Sequence, residues 1–336
     1  MTGGRPRGSA SGRAGSDGMT VLPGFLDAHV HFALIDPAPL TARGIARVLD
    51  LGGWTPPAGA PTSAEPEAEA GARLPAAVFA GAFLAAPGGY PSERSWAPEG
   101  SVRFVARATD AAAAVDDQLA LGASVIKVTL NVDAGPVLPH AVLAAITRHA
   151  HAHGAPVVAH AEGAGQSRRA FEAGVDALAH TPFTERLADD LIAAMAGRMA
   201  WISTLDIHGW GDPTDDFDRA VDNLRRFHLA GGQVLYGTDL GNGPLPVGLN
   251  VREIDALLGA GLTADDVLRS LTVEHLGGFR TVLRGPAGNA GCDPEHAAGR
   301  LVTVLRGERP ADPAAFSAWL GTARAVRPAG LAVPRA

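Results

Sequence analysis

The chain of 336 residues has a single cysteine, Cys292, and few bases for its acids. One cysteine excludes a disulfide within the chain and fits a reducing compartment. A formal net charge of -7 argues against a nucleic-acid surface. There is no run of about 18 apolar residues, so no membrane span is expected. The opening "MTGGRPRGSASGRAGSDGMT" carries arginines but no apolar stretch, so it does not read as a secretory signal. Together these absences predict a cytoplasmic protein that meets neither nucleic acid nor membrane. What the chain does have is 46% hydrophobic residues, enough for a sizeable core.

Residues 1–20 are rich in Gly, Ser and Arg and are expected to be a disordered tail. The Pro-rich "TPPAGAPTSAEPEAEAGA" at 55–72 is expected to be a long loop. Elsewhere, short β-branched apolar runs alternate with Ala/Leu-rich helical patterns. Eight strand candidates stand out: "GFLDAHVHF", "GIARVLDLG", "AAVFAGAFL", "SVIKVTL", "PVVAHAE", "ALAHTPF", "MAWISTL" and "QVLYGTD". Between several of them lie clear helices such as "LPHAVLAAITRHAHAHG" and "FDRAVDNLRRFHLAGG". The alternation predicts an α/β fold, a (β/α)8 TIM-type barrel whose active site lies at the C-terminal strand ends. A doubly wound open sheet competes, weakened because no G-x-G-x-x-G follows the first strand. The barrel is expected over 21–290, with an appendage over 291–336.

The first strand ends in His29 and His31, which a period of two places on one face. Alone, this H-x-H fits a solvated strand as well as a metal site. The later strands add Lys127 within "SVIKVTL", His160, His180 and Asp239, each where an apolar run stops. Singly, the histidines read as bonded core residues and Asp239 as a helix cap. Jointly they form a complete ligand shell. Lys127 is the informative member, because burial among Val and Ile disfavours its charged form. Its neutral amine can add carbon dioxide and lose a proton, giving a carbamate anion with two oxygens able to bridge two cations. An ion pair with Asp239 is the alternative. Imidazole and carboxylate ligands suit zinc, with manganese, nickel or iron as alternatives.

These segments resemble the amidohydrolase superfamily. "LPGFLDAHVH" looks like its opening signature; "GASVIKV", "VVAHAEG", "ALAHTPF" and "VLYGTDLGN" resemble its later ligand segments. "GIARVLDLGG" and "AGAFLAAPGGY" look like the branch holding zinc-dependent Xaa-Pro dipeptidases and imidazolonepropionase-like proteins. The resemblance spans about residues 21–305. It implies two divalent metals: His29, His31 and Asp239 on the more buried one, His160 and His180 on the second, and carboxylated Lys127 bridging them. The chain departs from the pattern where few residues precede the H-x-H strand and where "GRLVTVLRGERPADPAAF" is a degraded C-terminal segment. The usual β-sandwich is therefore expected to be reduced or absent.

The expected chemistry is hydrolysis of a C–N amide bond in a small amide, cyclic amide or short peptide. A metal-bound hydroxide would attack, and Asp239 would carry the proton to the leaving nitrogen. Ester or lactone hydrolysis and heterocycle deamination are the alternatives; a scaffold without chemistry would lack part of the ligand set. Tyr90, Asp206 and His208 are candidate substrate contacts, and Arg94 a candidate partner for a free carboxylate. Trp210 lines a pocket or covers the core. His140, His149, His151 and His153 are read as solvent-facing residues of one helix and its end. The partner is thus a small molecule or short peptide; a homo-oligomer is compatible with the reading.

Overall fold

The computed structural model describes residues 13–15, 18–55, 74–273 and 301–328. Residues 1–12, most of the 55–72 loop, the expected boundary at 290 and Cys292 lie outside the described residues. In chain order the strands are β1 (Arg13–Gly15), β2 (Met19–Pro23), β3 (Phe25–Val30), β4 (Ile45–Asp50), β5 (Ala76–Phe79), β6 (Phe83–Ala85), β7 (Val102–Phe104), β8 (Ile126–Asn131), β9 (Val157–Glu162), β10 (Ala177–Leu178), β11 (Ala200–Ile202), β12 (Gln233–Leu235), β13 (Val302–Arg306) and β14 (Arg324–Val326). The helices are α1 (Ala111–Ala120), α2 (His140–Ala152), α3 (Gln166–Glu172), α4 (Asp189–Ala196), α5 (Asp215–Leu229), α6 (Val251–Gly259), α7 (Ala264–Thr272) and α8 (Phe316–Leu320).

The central strands pair in parallel, as β3–β4–β5 and as β7–β6–β8–β9–β10–β11–β12. β5 and β6 are two halves of one barrel strand, turned at Gly81, whose φ is 75°. β5 pairs with β4 and β6 with β8, while Ser124 donates its N–H to the Phe79 carbonyl at 3.0 Å. At the opposite seam Ala28 donates to the Tyr236 carbonyl at 3.0 Å, and Val30 bridges Leu240 in parallel. These contacts join the ring of a TIM-type barrel, with β7 on its outside. Each expected strand is present within the quoted segments.

Alternation along the strands makes two cores. Leu26, Ala28, Leu49, Val158, Ala177, Ala200 and Leu235 fill the barrel. Ile126, Val128, Val157, Leu178, Trp201 and Tyr236 face outward toward the helices. Trp201 stacks on Phe227 of α5 at 3.9 Å between centroids. The amphipathic spacing of α5 and α7 supplies that outer layer, and Thr214 and Thr263 cap their starts. Among the described residues, no helix is long and apolar enough to cross a membrane.

Strands from the first and last described segments form a four-stranded sheet, β1–β2–β13–β14. β2 pairs antiparallel with β13, from Met19 opposite Arg306 to Pro23 opposite Val302. Arg13–Gly15 and Met19–Thr20, expected within the irregular tail, are therefore strand. Their Gly- and Ser-rich setting hid this, because the pairing partner lies at the far end of the chain.

Candidate active site

Every expected ligand sits at the same end of the barrel, around a cavity of about 420 Å³ lined by His29, His31, Lys127, His160, His180 and Asp239 among others. On β3 the register shifts between Asp27 and Val30. Ala28 thus belongs to the inner core and Val30 to the outer, while His29 and His31 line the cavity. On β8, plain alternation is enough: Val125 is in the inner core, Lys127 and Thr129 line the cavity, and Ile126 and Val128 face out.

The tautomers reveal what the cavity wants. His29 Nδ1 lies 2.9 Å from the Ala179 carbonyl, and His31 Nδ1 lies 2.9 Å from the Gly52 carbonyl. A carbonyl only accepts, so each Nδ1 carries the proton and each Nε2 presents a lone pair. Those two Nε2 atoms stand 3.2 Å apart. Asp239 Oδ1 lies 3.0 Å from the first and 3.1 Å from the second. Three acceptors facing one another repel unless a cation sits among them. A second group repeats the theme: His160 Nε2 donates to the Glu162 carboxylate at 3.0 Å, so its Nδ1 lone pair faces His180 Nε2 at 3.1 Å. The ligand atoms of His29, His180 and Asp239 lie within 4.8 Å of one another. This donor set fits divalent metal ions.

The same cluster draws positive charge: burial would lower His31, but the Asp239 carboxylate raises it. Burial pushes His29 down to about 4, and it lowers His180 as well. Lys127 is only 2% exposed, and burial pushes it down to about 7 despite Asp239 and Asp50. Among the described residues it forms no ion pair with either. The internal pair weighed against a carbamate is therefore not made.

Backbone strain concentrates here. Asp239 has φ 58° and Thr204, whose hydroxyl lies 3.0 Å from His180 Nδ1, has φ 43°. Asp27, which sequence reasoning missed, holds the Asp239 turn. Its carboxylate accepts from His29 N at 3.1 Å, Thr238 N at 3.0 Å and Thr238 Oγ1 at 2.6 Å. Glu162 and Asp50 were missed too; Asp50 accepts from Phe32 N at 2.7 Å and Gly52 N at 3.0 Å, fixing the loop that receives His31. The available signal was a carboxylate inside an apolar run, which burial makes costly unless it is bonded.

Of the substrate candidates, Tyr90 and His208 line the cavity. Tyr90 stacks on His160 with centroids 4.8 Å apart, and its loop needs Gly89, where a Cβ would meet the Pro136 carbonyl at 2.4 Å. His208 is pushed down to about 4 by burial, and its Nε2 has no partner among the described residues. Asp206 and Arg94 do not line the cavity. Asp206 is buried and committed elsewhere: it takes hydrogen bonds from Asn250 at 2.7 Å and from Arg252 at 2.9 Å. It therefore latches the turn carrying His208 and Trp210 to α6. Arg94 is exposed and stands 5.7 Å over the Tyr90 ring. Trp210, at φ 50°, lines the cavity and rests on Gly243, where a Cβ would meet its ring at 2.7 Å.

The model of the family described as "Amidohydrolase family" matches residues 20–274. Similar solved structures include a Xaa-Pro dipeptidase with bound methionine in the active site, at 18% identity and TM-score 0.64, covering 92% of this chain and 86% of that one. They also include the A. niger ochratoxinase, at 16% identity and TM-score 0.64 over 91% of this chain and 82% of that one. Phenylurea hydrolase B matches at 14% identity and TM-score 0.58, over 94% and 85%. At these identities the likeness concerns the fold. No curated protein sequence matches significantly.

Proposed function

The chain belongs to the Amidohydrolase family, and from that premise we propose that it is a metal-dependent hydrolase cleaving the C–N bond of a small, uncharged amide. Family membership supports hydrolase activity on amide-type substrates. The observation that carries the finer reading is the ring of facing acceptors, with His29 Nε2, His31 Nε2 and Asp239 Oδ1 all within 3.2 Å. His29, His31 and Asp239 would hold one ion and His160 and His180 a second, zinc being the first choice. Lys127 would bridge them as a carbamate: its neutral amine forms the N–C bond to carbon dioxide and releases one proton. When bound, such ions polarise an amide carbonyl and lower the pKa of water toward about 7.

The protein's own groups then manage protons and position. Asp239 takes a proton from the attacking water and gives it to the leaving nitrogen. Its second oxygen accepts from Asn242 Nδ2 at 2.8 Å, which keeps the carboxylate turned toward the histidines. His208 stays neutral; its Nε2 is buried without a partner among the described residues, and a substrate that displaces the wall around it would find a hydrogen-bonding nitrogen there. Aromatic walls from Tyr90, Trp96, Phe183 and Trp210 favour a flat or apolar substituent. No arginine lines the cavity among the described residues, and its carboxylates are Glu162 and Asp239. A substrate with a free carboxylate finds no arginine partner among the described residues there, which favours neutral aryl or cyclic amides over Xaa-Pro dipeptides.

The test is a panel of N-aryl amides, cyclic amides, lactones and Xaa-Pro dipeptides, assayed before and after chelation and with Zn²⁺ restored. Turnover of neutral amides that chelation abolishes and zinc restores is expected, with Trp210→Ala raising KM for aryl amides. Chelation-resistant turnover would overturn the metal dependence. Preference for the dipeptides would overturn the substrate class.

A further inference from the structure

A second constellation of metal-binding side chains stands on the outer wall of the barrel, away from the cavity. α1 and α2 lie side by side there, and α2 closes at His153, its C-terminal cap. His149 and His153 are four residues apart, so both rings leave one helix face, with centroids 4.6 Å apart. Asp116 on α1 faces them. Its Oδ1 lies 2.7 Å from His149 Nε2 and 4.0 Å from His153 Nε2.

The tautomer again carries the argument. His153 Nδ1 lies 3.0 Å from the His149 carbonyl, one of those a helix end leaves free. That carbonyl fixes the proton on Nδ1 and leaves the His153 Nε2 lone pair toward the carboxylate. The three ligand atoms lie within 4.8 Å of one another. Neighbouring ligands on a tetrahedral ion with bonds of about 2.0–2.1 Å stand about 3.3 Å apart, between the two distances observed. The negative end of the α2 dipole adds attraction for a cation. By the same rule His149 Nε2 donates to the Asp116 carboxylate at 2.7 Å, so an incoming ion takes the place of that proton between the two. Side-chain exposures of 27%, 47% and 56% for His149, His153 and Asp116 leave room for an ion and for water to complete its shell.

We infer that Asp116, His149 and His153 form a surface site for a divalent transition-metal ion such as Zn²⁺, Ni²⁺ or Cu²⁺, distinct from the barrel cavity. The full chain, stripped by chelator and dialysed against Ni²⁺ at pH 7.5, tests this against the double variant His149→Gln/His153→Gln. The double variant is expected to take up one equivalent fewer per chain, with an unchanged Tm in the absence of metal. A His29→Gln/His31→Gln variant is expected to keep that equivalent, so the outcome does not depend on what the barrel binds. Equal Ni²⁺ uptake by the wild type and the helix variant would overturn the site.

Discussion

Replacing Lys127 by Met in the metal-free protein should change how stability depends on pH. The amine is pushed by burial from its ordinary 10.5 down to about 7. Holding it charged in the folded state therefore costs about 5 kcal/mol, taking about 1.36 kcal/mol per pH unit. The sign follows from proton counting: between about pH 7 and 10.5 the unfolded chain binds a proton that the folded chain does not. The penalty is fully present below pH 7 and fades as pH rises through that window. Lys127→Met has no such group, so it should be the more stable form at neutral pH. Its advantage should shrink by about 1.4 kcal/mol per pH unit from about pH 7.5 to 9.5. Urea unfolding of both proteins, chelator-stripped and free of carbon dioxide, reads this directly. A stability difference that stays flat across the window would refute the buried neutral amine and remove the basis for its carboxylation.

Three further outcomes follow from the same site. Asp239→Asn should fold with the wild-type circular dichroism spectrum and lose about 10²–10⁴-fold in kcat, the range for a positioned proton carrier; retained turnover would remove Asp239 from the chemistry. His208→Phe should raise KM by about fivefold with kcat nearly intact, since one hydrogen bond is worth about 1 kcal/mol; an unchanged KM would mean its nitrogen never meets substrate. Asp27→Ala leaves the buried backbone N–H groups of His29 and Thr238 without their acceptor, so denaturant melts should show a loss of about 1–3 kcal/mol, and a neutral result would contradict its bracing of the Asp239 turn.

That His29, His31 and Lys127 share one cavity was legible because strand alternation is a short-range rule. A histidine two residues after another, or a lysine amid Val and Ile, declares its face without knowledge of the rest of the fold. What escaped was long-range. Asp27 gains its meaning from Thr238, and the partner of β2 is β13, neither adjacent in sequence. The same limit explains Asp206 and Arg94. Both lie in loops, where no periodicity tells which way a side chain turns. Asp206 turned toward Arg252 and Asn250, and Arg94 toward the Tyr90 ring.

The latch at Asp206 bears on how such a protein can change over generations. The candidate ligands hang from strands or strand ends, whereas His208 and Trp210 ride on one turn tied to α6 by the bonds of Asp206 to Arg252 and Asn250. Substitutions in that turn can resize the cavity while leaving the strands and the candidate ligands they carry as they were. Because both residues share that one anchorage, a change at Asp206 or its partners bears on the two walls together.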